Sequence, residues 1–314
     1  MFAPKSNWEV PELFPNIPET KTIAVDLETC DPNLLVKGPG WATGDGYVIG
    51  VGVATDDWKG YFPFRHQGGG NLDEGLVLKW LSKTLSSNKR DVVFHNSLYD
   101  VGWLKREGVE VCGNIVDTMF AAPLIDENRR SYSLDSLGES YCNNKKDESL
   151  LQDAALAYGI NPKSEMYKLH SKYVGPYGEQ DAALTLKVWD KLKQEIKSQD
   201  LSKIYELETS LIPLLIEMRW RGVRVDEEKA HSISKELSKK EQKIQVEIKR
   251  KYGSEVNLWA NASLQDIFDK NKLFYPRTEK GMASFQRQWL ESHTHELPRL
   301  IVEARKLNKA RTTF

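Results

Sequence analysis

The chain has 314 residues, 40% hydrophobic and 10% aromatic, which is enough for one or two buried cores. No stretch approaches the roughly 18 consecutive apolar residues of a membrane span, and the first twenty residues lack the apolar run of a secretory signal. The net charge of −1 hides an acidic part, with 19 Lys and Arg against 27 Asp and Glu in residues 1–190, and a basic part, with 25 against 18 in residues 191–314. Such a division suits a metal site beside a phosphate-binding surface, and it suits two ordinary solvated faces equally well.

The first part of the chain alternates strand and helix signals. Segments rich in β-branched residues and glycine predict a meander of three strands, at 22–28, 47–55 and 60–65. Two helices and two more strands are predicted after it, the helices at 73–86 and 98–107 and the strands at 91–95 and 113–118. This alternation predicts an α/β layered domain with some parallel pairing.

Beyond about residue 118 the predicted elements are helical. In the first region they lie at 133–140, 147–158, 163–172 and 177–198. A second region is predicted to begin near residue 200 with one amphipathic helix that ends at Gly222. A long charged helix follows over 226–252, with Asp226 as its N-cap, and further helices are predicted at 262–271, 283–291 and 297–311.

Four acidic residues stand at the ends of predicted elements. Asp26 and Glu28 are two apart at the end of the first strand, so both carboxylates can face one site. Asp100 ends the segment HNSLYD, which follows a buried strand directly, at the edge of the sheet where α/β sites form. Asp181 lies four residues after Tyr177, so both side chains share one helical face. Each pattern alone is weak, but the ordered set is distinctive.

Several polar residues near these acids have a plainer interpretation. Asn96 precedes a predicted helix and is a suitable N-cap. His66 and His95 are single histidines without the spacing of metal ligands, so we expect them to pack in the core or in loops. Asp117 ends a predicted strand and is expected to support the site without being a ligand.

The ordered set of DxE, NxxYD and YxxxD resembles motifs I, II and III of DEDD nucleases, and the tyrosine of the third motif marks the DEDDy branch. The segments DTMFAAPLIDENRRSYSLDSL, ETSLIPLLIEMRWRGVRVD and LPRLIVEARKLNKARTTF are similar to parts of family A DNA polymerases, and GPGWATGDGYVIGVGVA is most like bacteriophage members. The resemblance implies an N-terminal extension at 1–20, then an α/β, RNase H-like exonuclease fold with a mixed sheet flanked by helices at 21–199. An all-helical, thumb-like region would follow at 200–314.

The same resemblance implies a 3′→5′ exonuclease that uses two divalent cations, Mg²⁺ or Mn²⁺. Asp26, Glu28 and Asp181 would hold the tighter cation. Asp26 and Asp100 would hold the second. Tyr177 would orient the attacking water, because a phenol with a pKa near 10 is a poor general base at neutral pH.

Substrate contacts follow from the resemblance as well. Asn96 and Tyr99 would lie near the terminal nucleotide of a single-stranded or frayed DNA 3′ end. Independently of the resemblance, three basic residues at the end of the long helix, Lys249, Arg250 and Lys251, are candidates for contact with the DNA backbone, although basic residues are favourable at any helix C-terminus. No membrane partner is expected, and the resemblance implies the cytoplasm, that of the host cell if a bacteriophage encodes the chain.

Three questions stay open from the sequence. The substrate can be DNA, for proofreading, or RNA, for trimming, and the chain can instead be a catalytically inactive DNA-binding accessory module. No palm or finger motif follows the thumb-like region, so we expect no polymerase activity from these 314 residues alone. They can be an excised piece of a longer polymerase or one subunit of a split polymerase with a separate palm-and-fingers chain.

Overall fold

The computed structural model describes residues 3–253 and 255–313. These residues divide between Gly222 and Val223 into two compact units. The first unit contains a five-stranded sheet and the second is built from helices. The predicted division at 199/200 separates a nuclease domain from a thumb-like region and stays a prediction. No helix within the described residues is long and apolar enough to cross a membrane.

Five strands form the sheet of the first unit: β1 Ile23–Cys30, β2 Tyr47–Ala54, β3 Lys59–Pro63, β4 Asp91–Phe94 and β5 Asn114–Asp117. Their order across the sheet is β3-β2-β1-β4-β5. The pairs β1–β2 and β2–β3 are antiparallel, whereas β1–β4 and β4–β5 are parallel. The predicted meander and the predicted partial parallel pairing are therefore confirmed.

Ten helices are described in the first unit: α1 Leu34–Lys37, α2 Gly40–Thr43, α3 Glu74–Leu85, α4 Ser97–Arg106, α5 Thr118–Ile125, α6 Leu134–Cys142, α7 Ser149–Tyr158, α8 Ser171–Ser198, α9 Ser202–Ser210 and α10 Ile212–Arg221. The predicted helix at 163–172 is wrong, because that segment forms a 3₁₀ turn, Met166–Lys168, and then the start of α8. The third motif therefore lies inside α8 and does not open a helix. The ring of His170 accepts a hydrogen bond from the backbone of Lys172 and caps the true start.

The amphipathic helix predicted to end at Gly222 is two helices, α9 and α10. They meet at Leu211, and Pro213 stands in the first turn of α10, where its missing N–H costs no helical hydrogen bond. Because the helix restarts there, the apolar periodicity of a single helix does not hold. Ile212 and Ile216 are buried, whereas Leu214 is more than half exposed.

Residues 3–20 have no helix or strand, yet they pack on the first unit. The indole N–H of Trp8 donates to Glu179 of α8 over 2.8 Å. The indole N–H of Trp80 in α3 donates to the carbonyl oxygen of Pro15 over 2.9 Å. The ring of Phe14 stacks on another aromatic ring of the core. This extension therefore joins α3 and α8 across β3 at the edge of the sheet.

The second unit has four described helices: α11 Glu227–Tyr252, α12 Asn261–Lys270, α13 Arg287–Ser292 and α14 Glu296–Thr313. Asp226 caps α11 as predicted, since its carboxylate accepts the backbone N–H of Lys229 over 2.9 Å. Helix α13 begins later than predicted, because the chain before it forms a β-bridge between Arg277 and Ala283. Leu300 and Ile301 of α14 pack in the core of this unit with residues of α11 and α12.

Candidate metal centre

Two acids of β1 lie on the face of the sheet that α8 covers. Along β1, Ile23, Val25 and Leu27 point into the core on the opposite face. Ala24 packs in a different core, with residues of α8. Side chains alternate along a strand, so Asp26 and Glu28 share the side of Ala24.

Two glycines let α8 approach the sheet closely. Gly52 pairs with Asp26 in the neighbouring strand, and a Cβ there would lie 2.3 Å from the carbonyl oxygen of Gly178. A Cβ on Gly178 would lie 2.6 Å from the ring of Tyr61. Any larger residue would push the helix away. The contact brings the segment that contains Asp181 against β1.

Three carboxylates meet at this contact. Asp26, Glu28 and Asp181 each offer an oxygen, and these atoms lie within 4.8 Å of one another. Oδ1 of Asp181 is buried and has no hydrogen-bond partner in the described part of the chain. Carboxylate oxygens are the ligands that Mg²⁺ and Mn²⁺ prefer, so the residues present fit a divalent cation.

The electrostatics of the cluster agree with a cation site. Dehydration in the crowded site and the charge of Asp181 raise the pKa of Asp26 to about 7. Burial and the charge of Asp26 raise the pKa of Glu28 well above its usual value. Burial also raises the pKa of Asp181. The three groups thus repel one another when ionised, and a bound cation would relieve that repulsion.

Asp100 is tied to the same stretch of β1. Pairing between β1 and β4 is limited to Ile23 and Ala24, because β4 ends and the chain turns into α4. The backbone N–H of Leu27 is therefore free to donate to Oδ1 of Asp100, over 3.0 Å. Burial and the charge of Asp26 raise the pKa of Asp100 well above its usual value. All four predicted acids thus surround the end of β1.

Asp117, at the end of β5, bonds to the turn that precedes Asp100, in agreement with the supporting role expected from the sequence. It is completely buried, and its carboxylate accepts the backbone N–H groups of Asn96, Ser97 and Met119 over 3.1, 2.6 and 2.7 Å. These bonds fix the turn between β4 and α4 that presents Asp100. Asn96 occupies the predicted N-cap position of α4, with φ of 75°, but its exposed side chain makes no capping hydrogen bond.

The two tyrosines of the motifs differ in their surroundings. The hydroxyl of Tyr99 donates to Asp31 over 3.1 Å and lies 2.7 Å from the hydroxyl of Thr29, so its position is fixed. Burial, and then the charges of Glu28 and the other cluster acids, raises the pKa of Tyr177 far above its usual value. Tyr177 therefore keeps its proton and can act as a hydrogen-bond donor.

One residue of the cluster was missed by the sequence analysis. Nζ of Lys146, in the connection between α6 and α7, lies 2.7 Å from Oδ2 of Asp181 and 3.4 Å from Oδ1 of Asp135. The same amine lies 5.3 Å from the centroid of the Tyr177 ring. The sequence around it, NNKKDE, is typical of a solvated loop, and nothing in it distinguishes Lys146 from Lys145.

The candidates outside the cluster have structural partners. His95 bonds to the hydroxyl of Thr118 over 2.8 Å, and His66 lies in the core, as expected for packing residues. Lys251 pairs with Glu247 over 2.7 Å. Lys249 and Arg250 are exposed at the same helix end, and Lys249 pairs with Glu255. Contact of these basic residues with DNA stays a prediction.

Comparison with known families gives one clear match. A family model for the exonuclease of family A DNA polymerases, described as 3'-5' exonuclease, matches residues 4–197. That range contains every residue of the cluster.

Similar proteins are polymerases of phages and bacteria. The chain is 35% identical to a DNA-directed DNA polymerase of Pseudomonas phage M6, over 98% of this chain and 48% of the relative. It is 30% identical to DNA polymerase DpoZ of Acinetobacter phage SH-Ab 15497 and 26% identical to DNA polymerase I of Borreliella burgdorferi, over 96% and 98% of this chain and 49% and 32% of those relatives. The chain thus spans about half the length of the phage relatives.

A solved structure shows the same fold. The POL domain of Pol1 from M. smegmatis, in complex with DNA primer-template and dNTP, matches 93% of this chain and 45% of its own length, with a TM-score of 0.67 at 17% identity. At that identity the likeness concerns the fold alone. It agrees with the mixed sheet and flanking helices described above.

Proposed function

The chain belongs to the 3′-5′ exonuclease family of the family A DNA polymerases, and from this premise we propose that it removes nucleotides from DNA 3′ ends by metal-dependent hydrolysis. The family and the fold class predicted from the sequence are confirmed. The observation that carries the proposal is the meeting of Asp26, Glu28 and Asp181 within 4.8 Å, with Asp100 bonded to the same strand.

The four acids divide into two sets of ligands in this proposal. Asp26, Glu28 and Asp181 would hold one divalent cation, and Asp26 with Asp100 would hold a second. Two such cations would supply Lewis-acid stabilisation of the phosphodiester and of the leaving oxygen. The raised pKa values of the acids support this assignment, because they show that the carboxylates repel one another when no cation lies between them.

Tyr177 would act on the attacking water. Its hydroxyl is protonated because burial and the neighbouring acids raise the pKa of Tyr177, so it can donate or accept a hydrogen bond but cannot take a proton at neutral pH. We assign it the task of orienting a water towards the phosphorus. The geometry of α8, with Tyr177 one turn before Asp181, supports that task.

The substrate we propose is the 3′ end of single-stranded or frayed DNA. Asn96 lies two residues after the end of β4, and its exposed amide makes no capping bond, so it can bond to a nucleotide. The ring of Tyr99, held by Thr29 and Asp31, lies one residue from Asp100 and offers an edge for the terminal base or sugar. The names of the relatives, all DNA polymerases, favour DNA over RNA.

The chain also matches about half of its phage relatives, so we propose that nucleotide addition resides in a part that these residues do not contain. That part could be continuous with this chain or a separate palm-and-fingers chain. Co-purification of such a chain would favour the split form.

One assay tests the proposal. A labelled single-stranded DNA, a matched RNA, and primer-templates with paired and mismatched 3′ ends are incubated with the chain in Mg²⁺, in Mn²⁺ and in EDTA. We expect release of nucleotides from DNA with either cation, faster from mismatched ends because unpairing costs least there. No primer should be extended when dNTPs are added. Absence of release in both metals would favour an inactive module, and a preference for RNA would favour trimming.

A further inference from the structure

A buried lysine completes the acidic cluster. The side chain of Lys146 is only 8% exposed, and its amine bridges Asp181, at 2.7 Å, and Asp135, at 3.4 Å. The inner partner is buried at 7% exposure, whereas the outer partner is half exposed. Lys146, from the connection between α6 and α7, therefore links the half-exposed Asp135 of α6 to the buried Asp181 of the metal centre.

Lys146 acts electrostatically on all three clustered acids. Its charge opposes the rise in the pKa of Asp26, Glu28 and Asp181 alike. Burial lowers the pKa of the Lys146 amine, but the charge of Asp181 and its hydrogen bond outweigh that effect and raise it. The lysine thus stays protonated, and its charge offsets repulsion among acids that would otherwise be stabilised by little else.

From this arrangement we infer that Lys146 is the internal counter-charge of the metal centre, a positioning residue that holds Asp181 and limits the affinity for divalent cations. The inference rests on the proposed metal-dependent function. Lys146 occupies Oδ2 of Asp181, whereas Oδ1 is buried without a partner among the described residues and remains available to a cation. The same carboxylate thus serves the lysine with one oxygen and the metal with the other.

The size of the effect follows from Coulomb's law. A unit charge about 6 Å from a divalent cation changes its binding about tenfold even with the screening of bulk water. The lysine consequently competes with the cation while it stabilises the cluster without one. Its removal should therefore strengthen cation binding and weaken the cation-free fold, two effects of opposite sign.

Three variants test this inference. Lys146→Met keeps most of the side-chain length and removes the charge, whereas Lys146→Arg keeps the charge. Lys145→Met is the matched control, because Lys145 is an exposed neighbour outside every ion pair of the described residues. For each chain, the Mn²⁺ dissociation constant is measured by calorimetry without DNA, and the melting temperature is measured in EDTA.

We expect Lys146→Met to bind Mn²⁺ about tenfold more tightly than the wild type and to melt several degrees lower in EDTA. Lys146→Arg should keep both properties close to wild type, and Lys145→Met should change neither. A purely structural lysine would also lower the melting temperature, so the Mn²⁺ constant is the decisive measurement. An unchanged or weaker Mn²⁺ affinity in folded Lys146→Met would overturn the inference.

Asp135→Asn provides the test should Lys146→Met not fold. Asp135 is half exposed in the first turn of α6, so its replacement is mild. Without this outer partner, the charge of Lys146 acts undivided on Asp181. Mn²⁺ binding should then weaken about two- to threefold, and an unchanged affinity would overturn the inference.

Nucleotide release from single-stranded DNA, measured beside these constants, separates the two proposals. A wild-type chain that binds Mn²⁺ but releases no nucleotide would defeat the proposed function and leave the role of Lys146 intact. A wild-type chain that releases nucleotide, together with a Lys146→Met chain that binds Mn²⁺ no more tightly, would defeat the role of Lys146 alone.

Discussion

The two units bury acidic side chains in opposite ways. In the second unit, Glu241 of α11 is buried, and each of its oxygens has a partner on α14. Oε1 accepts from the amide of Asn308 over 2.9 Å, and Oε2 pairs with the guanidinium of Arg311 at 3.4 Å. The carboxylate is satisfied within the protein and joins two helices.

In the first unit, Asp26, Glu28 and Asp181 face one another, Lys146 pairs with Oδ2 of Asp181, and Oδ1 of Asp181 has no partner in the described residues. Burial of like charges costs stability unless a cation joins them. Burial alone therefore does not identify a functional acid. An acid with partners on the neighbouring helix is structural, whereas acids that meet each other require a ligand from outside.

The largest expected effect comes from removing two of the clustered acids. Replacing Asp26 and Glu28 together by Ala should abolish nucleotide release, because the cation loses most of its ligands. The melting temperature in metal-free buffer should hold or rise, since the repulsion between the carboxylates disappears. Release is followed with a labelled single strand, and folding is followed by circular dichroism. Retention of more than a few per cent of the wild-type rate would refute the role as metal ligands.

The next effect concerns the hydroxyl of Tyr177. Tyr177→Phe should slow hydrolysis about 100-fold, because it removes one hydrogen bond to the attacking water and leaves the acids in place. The affinity for single-stranded DNA should stay close to wild type. Single-turnover rates and binding measured in Ca²⁺ would separate the two quantities. An unchanged rate would make the tyrosine a packing residue of α8.

Glu241 of the second unit, whose two oxygens both have partners, should contribute to stability but not to nucleotide release. Glu241→Ala leaves Asn308 and Arg311 without their partner, so the free energy of unfolding should fall by about 1–2 kcal/mol, discounted for the partial exposure of the arginine. The rate of nucleotide release should not change below the melting transition. Urea titration measures the first quantity, and Glu241→Gln, which can still bond to Asn308, should lose less. A catalytic defect in folded Glu241→Ala would break the distinction between the two kinds of acid.

The four acids could be chosen from the sequence because the ordered set of motifs resembles that of DEDD nucleases, and simple local rules agree with most of that choice. Residues two apart on a strand share a side, and residues four apart on a helix share a face, so Asp26 with Glu28 and Tyr177 with Asp181 could be paired without coordinates. The meander and the alternation of strands and helices followed from equally local patterns. The match to the exonuclease family confirms that reading of the fold.

The missing parts depend on contacts between distant segments. Gly52 looks like an ordinary strand glycine until the carbonyl of Gly178 is seen 2.3 Å from its missing Cβ. Lys146 lies 35 residues from Asp181 along the chain, in a loop with no periodicity. The start of α8 was placed too late, because the helix continues on both sides of Pro176, which lies five residues after Ser171 and removes one helical hydrogen bond.

A separate effect, on the pH dependence of stability, is expected from a titrating side chain of the first unit, His66. Its Nδ1 lies 3.1 Å from the carbonyl oxygen of Leu169 and must donate, so Nε2 accepts from the hydroxyl of Tyr61 at 2.8 Å and the ring is neutral. Burial lowers the pKa of His66 from its usual 6.5 to about 4. The folded state thus resists protonation of His66. The contribution of the neutral ring to the free energy of unfolding is fully present above about pH 6.5 and is lost as the pH falls towards 4.

A variant separates the contribution of His66 to the pH dependence of stability from the contribution of the clustered acids. The raised pKa values of those acids make the protein more stable on acidification, whereas His66 makes it less stable. His66→Gln cannot titrate, so the difference in unfolding free energy between wild type and variant should shrink on acidification. From pH 7 to pH 5 we expect a decrease of about 2 kcal/mol, measured by urea titration in EDTA at each pH. The histidines of the second unit are not buried, so His231→Gln is the matched control and should leave the difference constant. A constant difference for His66→Gln would mean that the His66 ring is hydrated in the folded protein. Water would then enter the core around Tyr61, which contradicts the close packing of α8 on the sheet.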